Sequence, residues 1–374
     1  MAKRYEQRSA RRIGRWAGAA ALALVLSGCA AQASGLAGES GFILSSDVKM
    51  ELQARKLPLI QGEQTPLAEE VRFADLLNVR EGSVLYNRED GVYRTSLASL
   101  DRAEKLIDTP AAEVSANGHR ALHDRDRRPY VSDLQSGETF ELDGADENSQ
   151  WSFADAEGEY VIGGVPGKVG LIHVTTGQAK WLNVKEQFDT EKKSHSYGTP
   201  YYFDGNIYVA GSFGDERNAI YKYSPDENKV RLYLDFPGGK AYDSIGQYRF
   251  LSDGKLLFDG TYDGQNGLFV YEPQTKAVST LVLGTTVGNQ DVGISFSLAP
   301  DGKKLLFHTR DESYDNLYQA ELDGTQLTNI RYIMRDTLYA SVSRLAYWNE
   351  DSASYALKYV PAGGTVESIV SYQF

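Results

Sequence analysis

From residue 71 onward, apolar and polar positions alternate in short runs, and one unit of that pattern keeps returning. The unit is a turn containing glycine followed by an apolar strand. Its clearest copies are Ser252-Asp253-Gly254-Lys255-Leu256-Leu257-Phe258 and Pro300-Asp301-Gly302-Lys303-Lys304-Leu305-Leu306-Phe307. Looser copies start at Gly82, Gly118, Gly158 and Gly205, and Ser343 to Trp348 repeats the strand without the glycine. These glycines recur every 36–49 residues, the period of a repeat architecture. Each anchor strand leads through a polar loop to a second run rich in aromatic and branched residues, such as Ile220-Tyr221-Lys222-Tyr223 or Leu268-Phe269-Val270-Tyr271. A tight turn follows, for example Leu322-Asp323-Gly324-Thr325, where Gly accepts positive φ and Asp bonds its own backbone. A closing strand comes next, and a strand before each anchor, such as Ile294 to Leu298, makes four per repeat with the anchor strand second. No stretch after residue 71 shows the i, i+3, i+4, i+7 spacing of an amphipathic helix.

Repeats of four strands predict an all-β fold, a β-propeller with seven four-stranded blades, ahead of six or eight. Two sandwiches would not repeat one internal pattern, and solenoid repeats are shorter. The 24 Tyr, 14 Phe and 4 Trp suit the wedge-shaped gaps between twisted sheets. The final repeat runs to Phe374, which makes Val366 to Tyr372 the expected outer strand of the last blade.

The first residues follow a different pattern. Lys3, Arg4, Arg8, Arg11, Arg12 and Arg15 precede an apolar run from Trp16 to Leu26, then Ser27, Gly28 and Cys29. A basic start, a short apolar stretch and small residues form an export signal, and the run is too short for a membrane-spanning helix. Leu26-Ser27-Gly28-Cys29 resembles the lipobox of bacterial lipoproteins. The resemblance implies removal of residues 1–28 and diacylation of Cys29, the single cysteine of the chain. Two acyl chains anchor a protein stably, at about 0.8 kcal/mol per buried methylene. The expected location is therefore the cell envelope: the outer face of the cytoplasmic membrane in a Gram-positive host, or the periplasm or outer membrane in a Gram-negative one. Gly14 and Arg15 after Arg11-Arg12 argue against twin-arginine export. Residues 29–40 are small and polar and read as a flexible tether. Residues 41–70 read as a lead-in in which Gly41 to Leu44 suits a short strand and Gln61 to Pro66 a loop; residues 71–374 form the propeller.

The two sharp anchors, Ala299-Pro300-Asp301-Gly302-Lys303 and Ser252-Asp253-Gly254-Lys255, resemble the WD-like repeat of TolB-type propellers. That resemblance spans the repeat region but is specific in two blades. It implies a platform for protein or ligand binding more often than an enzyme, and the α/β domain of TolB has no counterpart here.

Among 374 residues the formal net charge is −12, and loss of the basic signal leaves the mature chain more acidic still. Nucleic acid is thereby a poor partner. With Cys29 committed to lipid, no disulfide or cysteine-type zinc site remains. The histidines, His119, His123, His173, His195 and His308, show no metal-ligand spacing: His119 and His123 on one strand would lie about 13 Å apart. There is no Gly-x-Ser-x-Gly elbow, and Gly163 to Lys168 lacks the Ser/Thr and helix of a phosphate loop. No metal, no cofactor and no catalytic residue is assigned.

Loop length points to one face. The second-to-third strand loops, Gly211 to Asn218, Gly260 to Gly267 and Thr309 to Asn316, read as long and irregular, with Asn183 to Gly198 as a long blade crossing. They carry the binding candidates Asp215, Glu216, Asp263, Asp311 and Asp315, joined on the same rim by Glu89, Asp90, Asp124, Asp126, Glu312, Glu350 and Asp351. Each alone is a solvated turn residue; together they would favour a cationic ligand or basic partner. The expected function is a lipid-anchored binding or scaffold module for a protein, a glycan or a small ligand. The alternative is an extracellular carbohydrate- or peptide-active enzyme, which would need two convergent carboxylates in the propeller mouth.

Overall fold

The structure, a computed structural model, describes residues 42–43, 57–67, 71, 75–125, 128–145, 150–165, 167–188, 195–213, 218–236, 244–284, 286–287, 290–291, 294–310, 314–338, 346–359 and 367–374. Seven antiparallel sheets follow one another along the chain and form the blades of a β-propeller. Blade 1 holds Asp75–Arg80, Ser83–Arg88, Gly91–Ser96 and Ser99–Ile107; blade 2 runs from Ala111–Val114 to Thr139–Glu141. Blade 3 runs from Gln150–Phe153 to Ala179–Asn183, blade 4 from His195–Tyr197 to Lys229–Asp235, and blade 5 from Ser244–Phe250 to Ala277–Leu283. Blade 6 runs from Ile294–Leu298 to Gln326–Leu338, and blade 7 contains Tyr347–Trp348, Ser354–Tyr359 and Ser368–Gln373. A short helix, Val184–Phe188, follows blade 3.

The anchors fold as their residues require. Gly254 and Gly302 have φ of +82° and +68°, where a Cβ would be strained. Beside them, Lys255 N–H donates to Asp253 Oδ1 and Lys303 N–H to Asp301 Oδ1. Each anchor strand then sends alternate side chains to opposite neighbours. Leu305 and Phe307 face blade 5, and Leu306 faces blade 7. The core is accordingly divided among the junctions. Leu85 with Val114 fills blades 1–2, Leu122 with Ile172 fills 2–3, and Ile162 with Val209 fills 3–4. Phe258 with Tyr208 fills 4–5, Leu257 with Phe307 fills 5–6, Leu306 with Leu357 fills 6–7, and Val84 with Ile369 closes the ring at 7–1.

Ring closure differs from the expectation for the C-terminus. Ser368–Gln373 is the third strand of blade 7, and the outermost strand is Glu63–Pro66 from the lead-in, paired antiparallel to it. Gln61 to Pro66 is thus not a loop: the open edge of Ser368–Gln373 supplies backbone partners that no local pattern announces. The lead-in also touches the two preceding blades. Phe42–Ile43 pairs in parallel with Val282 and Leu283 of blade 5. Leu59 bridges Tyr332 of blade 6, where Ile60 N–H donates to the Tyr332 carbonyl and Tyr332 N–H to the Pro58 carbonyl. Along this strap Leu57 packs into the 5–6 junction, Ile60 into 6–7 and Leu67 into 7–1. At Gly62 the strap lies against Val370 and Tyr372: a Cβ there would lie 2.6 Å from Val370 Cγ1.

Two further expectations change. His195 lies on the strand His195–Tyr197, paired with Gly211–Phe213, and not in a loop. Gly260 to Gly267 is no long loop, because Leu256–Tyr262 and Gln265–Glu272 meet at the two-residue turn Asp263-Gly264. Their φ angles of +50° and +74° are those of a type I′ hairpin, whose twist lets the ladder run to its end. Gly163 to Lys168 likewise forms a hairpin, with Val165 opposite Lys168.

Candidate functional site

A cavity of about 480 Å³ lies against the innermost strands of blades 2, 3, 4 and 5. Blade 2 contributes Glu113, blade 3 Ser152, Phe153 and Ala154, blade 4 the run Tyr197 to Tyr202, and blade 5 the run Ser244 to Arg249. Its size is within the range of small-molecule sites.

Two interruptions in otherwise regular strands shape it. The inner strand of blade 4 is split into His195–Tyr197 and Tyr201–Phe203, both paired with Asn206–Phe213. Pro200 between them has no N–H to offer a ladder. In blade 5 the register slips between Ile245 and Tyr248, leaving Gly246 and Gln247 as a bulge. The bulge is held from beneath, where Gln247 N–H donates to Asp259 Oδ1 at 2.8 Å. Only glycine fits above that carboxylate, because a Cβ on Gly246 would lie 2.1 Å from Asp259 Oδ1.

Among the described residues, three charged groups meet here. Asp259 is 5% exposed, and burial pushes its carboxyl up to about 6, opposed by the Gln247 N–H and by the positive charge of Arg249. Burial also raises the carboxyl of Glu113, opposed by the N–H of Phe153, which donates to Glu113 Oε2 at 3.1 Å, and by Arg249. Arg249 donates from Nη1 to the Tyr248 carbonyl at 2.8 Å, and its guanidinium lies 5.2 Å from the centre of the Tyr201 ring. Neither carboxylate is within ion-pair distance of that guanidinium among the described residues. Tyrosine rings complete the wall. Tyr248 is buried and its hydroxyl donates towards the Tyr208 and Thr199 carbonyls, at 3.1 and 3.3 Å. Desolvation raises the hydroxyls of Tyr197, Tyr201, Tyr202 and Tyr248, so all four stay neutral.

The sequence-predicted candidates fall into three groups. Cys29, Asp215, Glu216 and Asp311 lie outside the described residues, although Gly211 and Asn218, which flank Asp215 and Glu216 in the chain, line the cavity. Asp263 occupies the type I′ turn and is not part of the cavity wall, and Asp315 is on strand Tyr314–Asp323 opposite Arg310. Others on the rim have local work: Asp90 accepts from Tyr93 and Lys105, and Glu350 pairs with Arg80 across blades 7 and 1. His123 is buried inside blade 2 with Nε2 2.8 Å from Ser132 Oγ, and His308 bonds Ser295. No cluster of metal-binding side chains occurs among the described residues.

Glu113, Arg249 and Asp259 carry a signal that loop length does not. Arg249 interrupts the aromatic run Tyr248-Arg249-Phe250, and Asp259 ends the apolar run Leu256-Leu257-Phe258. A charge in a strand that otherwise reads as buried is uncommon and costs solvation, which makes it informative.

No family model matches the sequence, and no curated protein matches it. Solved structures are similar in shape. The AfRom2 CNH domain is 9% identical with a TM-score of 0.50, covering 83% of this chain and 99% of that one. The Cps50 (Swd1) β-propeller domain of Myceliophteria thermophila is 15% identical with a TM-score of 0.49, covering 84% and 98%. TolB from Acinetobacter baumannii is 14% identical with a TM-score of 0.41, covering 70% and 66%. At these identities the likeness concerns the fold alone.

Proposed function

We propose that the protein is an exported, lipid-anchored propeller that holds a small polar ligand in the cavity between blades 2 and 5. The lining carries this reading. Neutral tyrosine rings offer flat apolar faces, while Glu113, Gln247, Arg249 and the inner-strand backbone offer convergent polar groups. That combination suits recognition of a compact polar molecule on a rigid scaffold. The export segment and Cys29 support placement at the envelope, where such a site would meet external solutes.

A plug separates cavity binding from any other surface. Gly198 lines the cavity, and a Cβ there meets nothing nearer than the Ala210 carbonyl oxygen at 3.9 Å. Gly198→Trp should fill the space without unfolding the blade. Thermal-shift and equilibrium-dialysis screens of sugars, amino acids and dipeptides should find ligands for the native chain that this variant does not bind. Equal binding by both chains would overturn the cavity reading. For the anchor, the native chain should take up a clickable fatty acid in bacterial cells and Cys29→Ala should not; equal labelling would remove the lipoprotein assignment.

A further inference from the structure

The ligand class can be read from how Arg249 is held, on the premise that the cavity is the binding site. A guanidinium carries five N–H donors in a rigid fork and stays charged at all working pH values. Arg249 uses one donor on the Tyr248 carbonyl and one face on the Tyr201 ring. These two contacts fix the plane of the fork, and the other donors have no partner among the described residues. Two carboxylates lie near enough to feel the charge, yet each is bonded elsewhere: Asp259 Oδ1 to Gln247 N–H, and Glu113 Oε2 to Phe153 N–H. A pre-oriented cation on a cavity wall with unused donors lacks its anion.

We infer that the cavity takes a ligand bearing a carboxylate, docked on the Arg249 guanidinium, with a hydrogen-bond donor of the same ligand directed to Glu113. A planar carboxylate matches the fork with two parallel hydrogen bonds. A phosphate dianion fits less well, because Glu113 and Asp259 would repel its second charge. A cationic ligand would have to lie beside Arg249, the one cation of the wall among the described residues. Among the described residues, one oxygen of Glu113 accepts no hydrogen bond, and a hydroxyl or ammonium group of the ligand would satisfy it.

Both a sugar acid and a peptide C-terminus carry this chemistry, so matched pairs distinguish the sources. Calorimetric titrations would compare glucuronic acid with glucose, and the dipeptide Ala-Ala with its C-terminal amide. In one of the pairs the acid should bind the native chain about ten-fold or more tightly than its partner, as expected for a bidentate charge-assisted contact. Arg249→Gln should reduce that preference to about two-fold or less, and Arg249→Lys should keep part of it, since charge survives while the fork is lost. Circular dichroism and melting of both variants would establish that the blades remain folded. Equal binding of acid and neutral partner, or an undiminished preference in folded Arg249→Gln, overturns the carboxylate assignment and leaves the cavity reading standing. No binding by any of the four probes at millimolar concentration overturns the carboxylate assignment. Loss of binding by Gly198→Trp to any screened ligand would still support the cavity.

Discussion

The junction between blades 4 and 5 and the junction between blades 7 and 1 solve the same packing problem with different materials. The first is built from large rings, among them Tyr208, Tyr248, Phe250, Phe258, Phe269 and Tyr271. Phe203 stacks on Phe250 at 4.5 Å and Tyr208 meets the same ring at 4.2 Å. The second is smaller and mostly aliphatic: Leu67, Val71, Val79, Val84, Ala356 and Ile369 surround Tyr86, with Tyr93 and Tyr347 packed against them. The two seams also differ in chain continuity. Blades 4 and 5 are joined directly, whereas blades 7 and 1 come from opposite ends of the chain and are stitched by the lead-in. The rich junction supports an excess of buried charge at its inner edge, Asp259 beneath the bulge, and that edge carries the cavity. The lean junction carries its charge as the Arg80–Glu350 ion pair and draws on the strap for closure. Closure and the cavity thus sit on different seams of one ring.

Cutting the strap should have the largest effect. Deleting residues 57–66 removes the outer strand of blade 7 and takes Leu57 and Ile60 from the 5–6 and 6–7 junctions. At the usual value of a buried aliphatic side chain, plus an exposed sheet edge, the loss is about 3–6 kcal/mol. Urea unfolding measures it, and an unchanged midpoint would mean that the strap only decorates the ring.

Asp259→Asn should work in the opposite direction. The folded chain holds this carboxyl at about 6 against an ordinary value of 3.8. A raised acid binds its proton more tightly when folded, so its burial costs nothing below the ordinary value and the full penalty above the folded one. Stability contributed by this group is therefore lost as pH rises through about 6. The amide keeps an oxygen for the Gln247 N–H and removes the charge, which should stabilise the chain by about 2 kcal/mol at pH 7.5. The advantage should vanish below pH 3.8, and a pH-independent difference would contradict the titration.

Tyrosine hydroxyls at the two junctions compare directly. Tyr248 donates to the Tyr208 carbonyl across blades 4–5, and Tyr347 donates to the Leu76 carbonyl across blades 7–1. Tyr248→Phe and Tyr347→Phe should each cost about 1 kcal/mol and add in the double variant, since the sites are separate. Coupling between them, seen in a double-mutant cycle, would show an energetic link between the two seams that the separate clusters do not suggest. Smallest of all, Asp263→Asn should change stability by about 0.5 kcal/mol or less, because asparagine also tolerates the left-handed turn. It should leave ligand affinity unaltered; a drop would return the rim acids to the binding site.

Much of the blade was readable in advance. Gly254 and Gly302, the Asp residues before them and the apolar runs after them prescribe turn and strand within a few residues. The closure was not readable: Glu63–Pro66 has no alternation to betray it, and Gln64 meets Ser368 by a side-chain hydrogen bond across 304 positions of sequence. The loop reading failed at Asp263 because an Asp-Gly pair shortens a hairpin as readily as it decorates a loop. The cavity was hidden for a related reason. Glu113, Arg249 and Asp259 come from different strands of two blades, and the interest of Arg249 lies in which donors remain unused.

The sequence by itself determined the blade, because strand, turn and face depend on neighbours two to four residues away and on the φ range that glycine permits. It determined equally that each anchor strand has two apolar faces and must be covered on both sides. Only the tertiary structure decided that seven such units close on one another with a borrowed strand, and that the slipped register of blade 5 leaves a space beside Arg249. The physical reason is that ring closure and cavity are sums over contacts between distant segments, which no local period of hydrophobic and polar residues encodes.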